Sequence, residues 1–190
     1  AALEEHLHEV ARGVEELRLR VGTDTGMSVQ VFTLPAVTCC RRLCEGHTIA
    51  EKYNAMYDFY GECVRRGDRL SDEPLFTVLQ RRDFLDGYIT DEPYPFWVCV
   101  PVRPEKAPKE AVTLPACRAL SVLYYGSYAG ADEAFLRLGR EVKESGLTPA
   151  GDPRVLGIVA PYTGREIETK RYCSRLVLPV EGEAEPSFPV

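Results

Sequence analysis

No stretch of this chain approaches the ~18 consecutive apolar residues that a membrane-spanning helix needs, and no run of Lys and Arg is longer than a pair. With 23 Lys+Arg against 29 Asp+Glu the formal charge is −6, so these residues lack the basic footprint of nucleic-acid contact. Histidine is scarce: there are three, and His6 and His8 lie together near the N-terminus. No G-x-S-x-G, H-E-x-x-H or P-loop pattern occurs, and the sequence therefore gives little support to an enzyme. The seven cysteines are an odd number in a chain of 190 residues, which points to thiols in a reducing compartment rather than a disulfide framework. The first residues, AALEEHLHEV, are acidic and amphipathic, unlike a signal peptide, and a cytoplasmic location is expected. No cofactor is implied.

What is present begins with a heptad seam. Leu3, Leu7, Val10, Val14, Leu17 and Val21 are spaced alternately by four and three residues, which predicts a helix over 1–22 with one apolar stripe. Two readings stay open: a helix packed on its own domain, or the end of a longer coiled-coil-like dimerisation helix that makes a homodimer through 3–21. Gly13 weakens the helix by about 1 kcal/mol relative to Ala.

The rest of the chain repeats itself. Thr33-Leu34-Pro35-Ala36 recurs as Thr113-Leu114-Pro115-Ala116, and Leu43 and Gly46 match Leu123 and Gly126 at the same spacing. Gly67 and Pro74 match Gly146 and Pro153, and Val100-Pro101-Val102 matches Leu178-Pro179-Val180. The spacing drifts by only two residues across these collinear anchors. We read one domain over 27–182, built from repeat 1 (27–102), a Pro- and charge-rich linker (103–110) and repeat 2 (111–180), with a tail over 183–190.

Each repeat predicts a strand to Leu-Pro, a strand beyond it, a helix and a closing hairpin. Thr48 and Glu51 form a capping box at the first helix, whose apolar face is read as Ile49, Tyr53, Met56, Tyr57, Tyr60 and Val64. Ala131, Phe135, Leu138 and Val142 give the second helix its face, and Gly67 and Gly146 stand where each helix stops. The fold class is therefore α+β: two pseudo-twofold β-α-β-β units forming a curved antiparallel sheet with the helices on one face, preceded by the coiled-coil-like helix.

Alternation in the last strand of each repeat puts Val98, Val100 and Val102, and Leu176, Leu178 and Val180, under the helices. Trp97 and Cys99 then share the opposite face with Arg175, which is the equivalent of Trp97. A large ring and a fixed charge at equivalent points predict a ligand site. Tyr53, Tyr57, Tyr88, Tyr125 and Tyr162 are further candidates for a cleft between the repeats. Cys39, Cys40 and Cys44 are read as small apolar residues rather than metal ligands, because neighbours on a strand point to opposite faces.

Leu-Pro-Ala opening each half, Tyr125-Gly126-Ser127-Tyr128 before the second helix and the closing Leu-Val-Leu-Pro-Val resemble the GyrI-like small-molecule-binding domain. That domain is also the effector-binding part of BmrR-type MerR and Rob-type AraC transcription regulators. The resemblance implies a small-molecule or multidrug sensor with its ligand between the two halves, Tyr128 at the helix entrance, and DNA contact only through an upstream domain. It also implies two alternatives found among such proteins: a stand-alone hydrolase of reactive small molecules, or a gyrase-inhibitor-like protein that masks a macromolecule. Members commonly carry a Glu facing cationic ligands where this chain has Arg175. The reversed charge argues against a cationic ligand and for a planar aromatic or amphipathic one, neutral or anionic, stacked near Trp97 with Arg175 as counter-charge. Whether Glu45, Glu166 or Glu168 supplies a carboxylate to the cleft is left open by the sequence.

Overall fold

The computed structural model describes residues 27–86, 92–126, 131–160 and 171–183. The N-terminal heptad seam, Tyr88, Tyr128, Tyr162, Glu166 and Glu168 lie outside the described residues. The elements run β1 (Val29–Leu34), β2 (Val37–Gly46), α1 (Ile49–Arg66), β3 (Phe76–Leu79), β4 (Tyr94–Pro101), β5 (Val112–Leu114), β6 (Cys117–Tyr125), α2 (Ala131–Ser145), β7 (Arg154–Val159) and β8 (Cys173–Pro179). Short 3-10 turns at Asp83–Asp86 and Pro104–Lys106 complete them.

Local chemistry sets the helix ends. Thr48 accepts from the Glu51 backbone N–H at 3.2 Å, and the Glu51 carboxylate accepts from the Thr48 and His47 backbone N–H groups at 3.0 Å each. Those backbone bonds hold the Glu51 carboxyl down at about 2. At the far end Gly67 takes φ 79°, and Gly146 after α2 takes φ 67°, the left-handed turn that glycine makes at least cost.

All eight strands join one antiparallel sheet in the order β1-β6-β8-β7-β3-β4-β2-β5. Exchanging the first four strands with the last four turns this order into its own reverse. The registers obey the same exchange: Thr33↔Arg118 answers Thr113↔Thr38, and Leu43↔Trp97 answers Leu123↔Arg175. At the centre β3 meets β7 through Phe76↔Leu156, Thr77↔Val155 and Val78↔Arg154. The outer strands are traded: β1 pairs with β6 and β5 with β2. Pro35 and Pro115 mark the crossovers, since a residue without an N–H cannot continue a ladder.

The main core lies between the helices and one face of the sheet. Met56, Phe59 and Cys63 of α1 and Ala134, Phe135 and Leu138 of α2 pack with Phe96, Val98, Val100, Leu120, Val122, Leu176 and Leu178. The face of α1 is rotated from the sequence expectation. Phe59 and Cys63 are buried, whereas Tyr57 is 43% and Val64 50% exposed. Both follow a buried residue by one position, a turn of about 100° out of the core; Tyr53 and Tyr60 remain packed on it.

The first turns of the helices approach a polar spot. The Lys52 ammonium sits 4.6 Å from the Tyr94 ring centroid, and Arg81 lies 5.0 Å from the same ring while pairing with Asp83. Burial pushes the Lys52 ammonium down to about 8; Asp132 opposes this and Arg81 adds to it. Burial also lifts Tyr94 to about 12 and raises Asp132.

Two predictions follow from this packing. A Cβ on Gly139 of α2 would run into the Leu85 carbonyl oxygen. Gly139→Ala, which helix propensity alone favours by about 1 kcal/mol, should therefore destabilise by about 2 kcal/mol in thermal or urea melts. Lys52 is charged in both states below pH 8, and the folded state loses its proton first. The unfolded chain then binds more protons between about 8 and the ordinary 10.5, so stability rises with pH there. Above 10 Tyr94 works against that rise, because the unfolded tyrosine ionises while the folded one does not. Lys52→Met should be more stable than the parent below pH 8, with the difference shrinking from pH 8 to 10 in denaturant titrations.

Candidate functional site

The face of the sheet away from the helices is not simply solvated. Cys39, Cys99 and Phe76 form one buried apolar cluster on it, against which Trp97, Val37, Val78, Val112, Leu114 and Leu156 pack. Leu34, Ala119 and Val177 form a second cluster with Phe32, Cys117 and Leu156. Leu156 belongs to both and joins them across the centre. Among the described residues no helix covers these outward side chains, and the sheet curls into a half-barrel.

Register fixes the layout of this face. One row runs Trp97, Val78, Arg154, Val177, and the next runs Cys99, Phe76, Leu156, Arg175. Trp97 and Arg175 thus flank a floor of Val78, Phe76, Leu156 and Arg154, three strand spacings or about 14 Å apart along the sheet. The Arg41 guanidinium lies over the Trp97 ring at 4.3 Å, and that of Arg175 is 5.5 Å from the Phe32 ring. Tyr125 and Leu123, which pair with Cys173 and Arg175, extend the Arg175 side. Alternation along β2 brings Leu43 and Glu45 to the same face beyond Trp97.

The electrostatics are lopsided. Glu45 is the sole carboxylate in the eight described strands. Among the described residues, none of Arg41, Arg154 and Arg175 has an ion-pair partner, whereas Arg42 on the helix side pairs with Glu62. Arg175 Nε is buried and has no hydrogen-bond partner among the described residues. A hydrogen bond with Cys99 holds the Cys39 thiol below its ordinary value, helped by Arg41 and Arg154 against burial. The same bond and burial raise Cys99. The arginines therefore favour negative charge even inside the apolar cluster.

Of the residues picked out by sequence, Trp97, Arg175, Cys99 and Tyr125 share this face. Tyr53 and Tyr57 do not: they belong to α1 on the other side of the sheet, Tyr53 against the main core and Tyr57 exposed. Their expected place in one cleft with Trp97 is corrected, because α1 turns its apolar stripe toward the same face as Val98 and Val100. Sequence reasoning missed Arg41, Arg154, Phe32 and Phe76. The alternation that placed Trp97 and Arg175 also places Arg41 on β2 and Arg154 on β7.

No protein-family model matches the chain, and no curated protein matches it. Solved structures do. The C-terminal domain of EcmrR is 15% identical with a TM-score of 0.67, over 82% of this chain and 98% of that one. EcmrR in a complex with DNA gives 15% identity and a TM-score of 0.68, over 94% of this chain and 68% of that one. A hydrolase from Listeria innocua matches at 11% identity and a TM-score of 0.53, over 87% and 98% of the two chains. SAV2435 bound to tetraphenylphosphonium matches at 12% and 0.50, over 82% and 95%. At such identities the likeness is one of fold, and the fold of this chain is the GyrI-like half-barrel seen in the EcmrR C-terminal domain.

Proposed function

We propose that this chain is the effector-binding part of a transcription regulator and that its ligand is a planar, anionic small molecule held on the face between Trp97 and Arg175. The observation that carries this reading is the set of three arginines on an apolar floor that have no carboxylate partner among the described residues. A buried guanidinium N–H with no acceptor costs free energy that a carboxylate or sulfonate would return. Trp97 and Phe32 offer ring faces for stacking.

The regulatory part of the reading is supported by the likeness to EcmrR, which has been seen in a complex with DNA. DNA would be reached through a different domain, and residues 3–21 would pair two chains into a homodimer. We infer further that the halves arose from one duplicated unit, which the reversible strand order and the matching registers support. The hydrolytic alternative has less behind it: that chemistry needs a placed general base, and alternation brings only Glu45, at the strand end, to this face among the described strands. The related fold of SAV2435 holds a phosphonium cation. A face dominated by arginine repels such a ligand at short range.

Thermal-shift titration separates these readings, because a ligand that binds the folded state raises its stability as [L]/Kd grows. Planar aromatic carboxylates such as 2-naphthoate should raise the melting temperature, and tetraphenylphosphonium should not. Arg175→Ala should weaken the carboxylate about 10- to 100-fold, the loss expected for a charged hydrogen bond of about 1.5–3 kcal/mol. Tight phosphonium binding that Arg175→Ala leaves unchanged would overturn the assignment.

A further inference from the structure

On the helix side, at the closed end of the first half, Cys40 of β2, Cys63 in the last turn of α1 and Asp68 just beyond it each bring one donor atom within 4.8 Å of the others. Local structure builds this meeting. Gly67 turns the chain left-handed, and the Asp68 backbone N–H donates to the Cys63 carbonyl at 3.1 Å. The carboxylate thus folds back toward the two sulfurs, with Cys40 Sγ 3.9 Å from Asp68 Oδ2. Cys40 and Cys63 are fully buried, and the Asp68 side chain is 9% exposed.

Packing alone does not require these residue types. The equivalent places in the second half are Leu120, Val142 and Leu147, all part of or packed against the main core. The same corner of the same fold is therefore filled by three aliphatic side chains in one copy and by two sulfurs and a carboxylate in the other. Burying a carboxylate beside two thiols is costly unless a cation accompanies it. Arg66 supplies one, donating to Asp68 Oδ2 from Nη2 at 2.6 Å and from Nε at 3.1 Å, and reaching Cys63 Sγ at 3.5 Å. Its side chain is 35% exposed, so it closes the trio from the solvent side.

We propose that Cys40, Cys63 and Asp68 form a binding site for one thiophilic divalent ion of the zinc and cadmium class, with Arg66 as the cation it displaces. Bonds of about 2.3 Å to sulfur and 2.0 Å to oxygen at a tetrahedral centre put donor atoms about 3.5–3.8 Å apart. The present separations need close by no more than about 1 Å to reach that range. Two thiol protons leave to solvent as the ion binds, and the resulting Cys2Asp centre carries one net negative charge. A cavity lined by Val64, Asp68, Arg69, Leu70, Arg103 and Lys106 borders the carboxylate. It gives a path for the ion and room for a water or anion as fourth ligand, and its three cations offset the remaining charge. Looking along β2 alone hides this site, because the partner of Cys40 is on α1 rather than at Cys39 or Cys44. The site is on the opposite face from Trp97 and Arg175, so it stands whether or not the ligand reading above holds.

The test is a cadmium titration of the full chain in a non-thiol reductant, followed by thiolate-to-cadmium charge-transfer absorption. One ion per chain is expected, with the band lost in Cys40→Ala and Cys63→Ala and kept in Cys44→Ser and Cys117→Ser. Asp68→Asn should weaken binding at least about tenfold, and Arg66→Gln should tighten it by removing the competing cation. Circular dichroism checks that each variant folds. If the core cysteine variants do not, Asp68→Asn and Arg66→Gln decide alone. A band that survives in folded Cys40→Ala or Cys63→Ala, or an affinity indifferent to both Asp68→Asn and Arg66→Gln, overturns the proposal, as does the absence of any saturable band in the parent.

Discussion

Three residue pairs, Phe76↔Leu156, Thr77↔Val155 and Val78↔Arg154, join the two halves of the sheet at its centre. Every other strand takes its place relative to them. Because side chains alternate, this short ladder sends Thr77 and Val155 toward the helices and keeps Phe76, Leu156, Val78 and Arg154 together on the far side. A slip of one residue would exchange these sets, burying the guanidinium of Arg154 in the core and pushing the floor out of the half-barrel. The central ladder is only three pairs long, but the traded edge strands reinforce it. With β1 completing the second half and β5 the first, neither half presents a complete sheet by itself. The halves are thereby tied at the centre and at both edges, and the cost of ordering each is met by contacts from the other.

Local patterns made the elements legible. The Thr48 and Glu51 cap, the stops at Gly67 and Gly146, the breaks at Pro35 and Pro115 and the valines of β4 are short-range signals, and each sits where its chemistry demands. The trade of β1 and β5 was not legible, because strand pairing between distant segments leaves no trace in a strand's own alternation. Its consequence, that Cys39, Cys99, Ala119 and Val177 are buried on the face away from α1 and α2, was hidden for the same reason. The helix face was misread by one position. Met56 and Tyr57 are both apolar enough to face inward, and only packing against β4 selects Met56, Phe59 and Cys63. For the candidate site, the equivalence of Trp97 and Arg175 was readable from aligned repeats. Arg41 and Arg154 needed the same alternation carried to β2 and β7.

The distribution of charge connects the fold to the ligand reading. Among the described residues the strands of the half-barrel carry one carboxylate, Glu45, and the other acidic residues lie on helices and connections. The inner face, by contrast, holds Arg41, Arg154 and Arg175. Such a separation has a direct electrostatic effect. The low-dielectric walls around Phe76, Leu156 and Cys99 leave the fields of the half-buried Arg154 and Arg175 poorly screened. An anion that reaches the floor is attracted more strongly than the same anion at an exposed arginine.

The two halves share strand order, register and glycine helix stops, yet they differ at the places where chemistry is available. Arg154 takes in the second half the place that Phe76 has in the first, Arg175 that of Trp97, and Leu120, Val142 and Leu147 those of Cys40, Cys63 and Asp68. What both halves hold in common serves the folding of the half-barrel: the Leu-Pro breaks, the glycine stops and the aliphatic rows under the helices. What only one half holds is not required by the shared pattern, since the matching place in the other half is filled differently. The ring on one flank, the guanidinium on the other and the sulfur pair beneath α1 all fall in this second class. In a fold so nearly symmetric, the unmatched polar and aromatic residues are the ones that the folding of the sheet does not explain, and they are where the proposed ligand and the proposed ion would act.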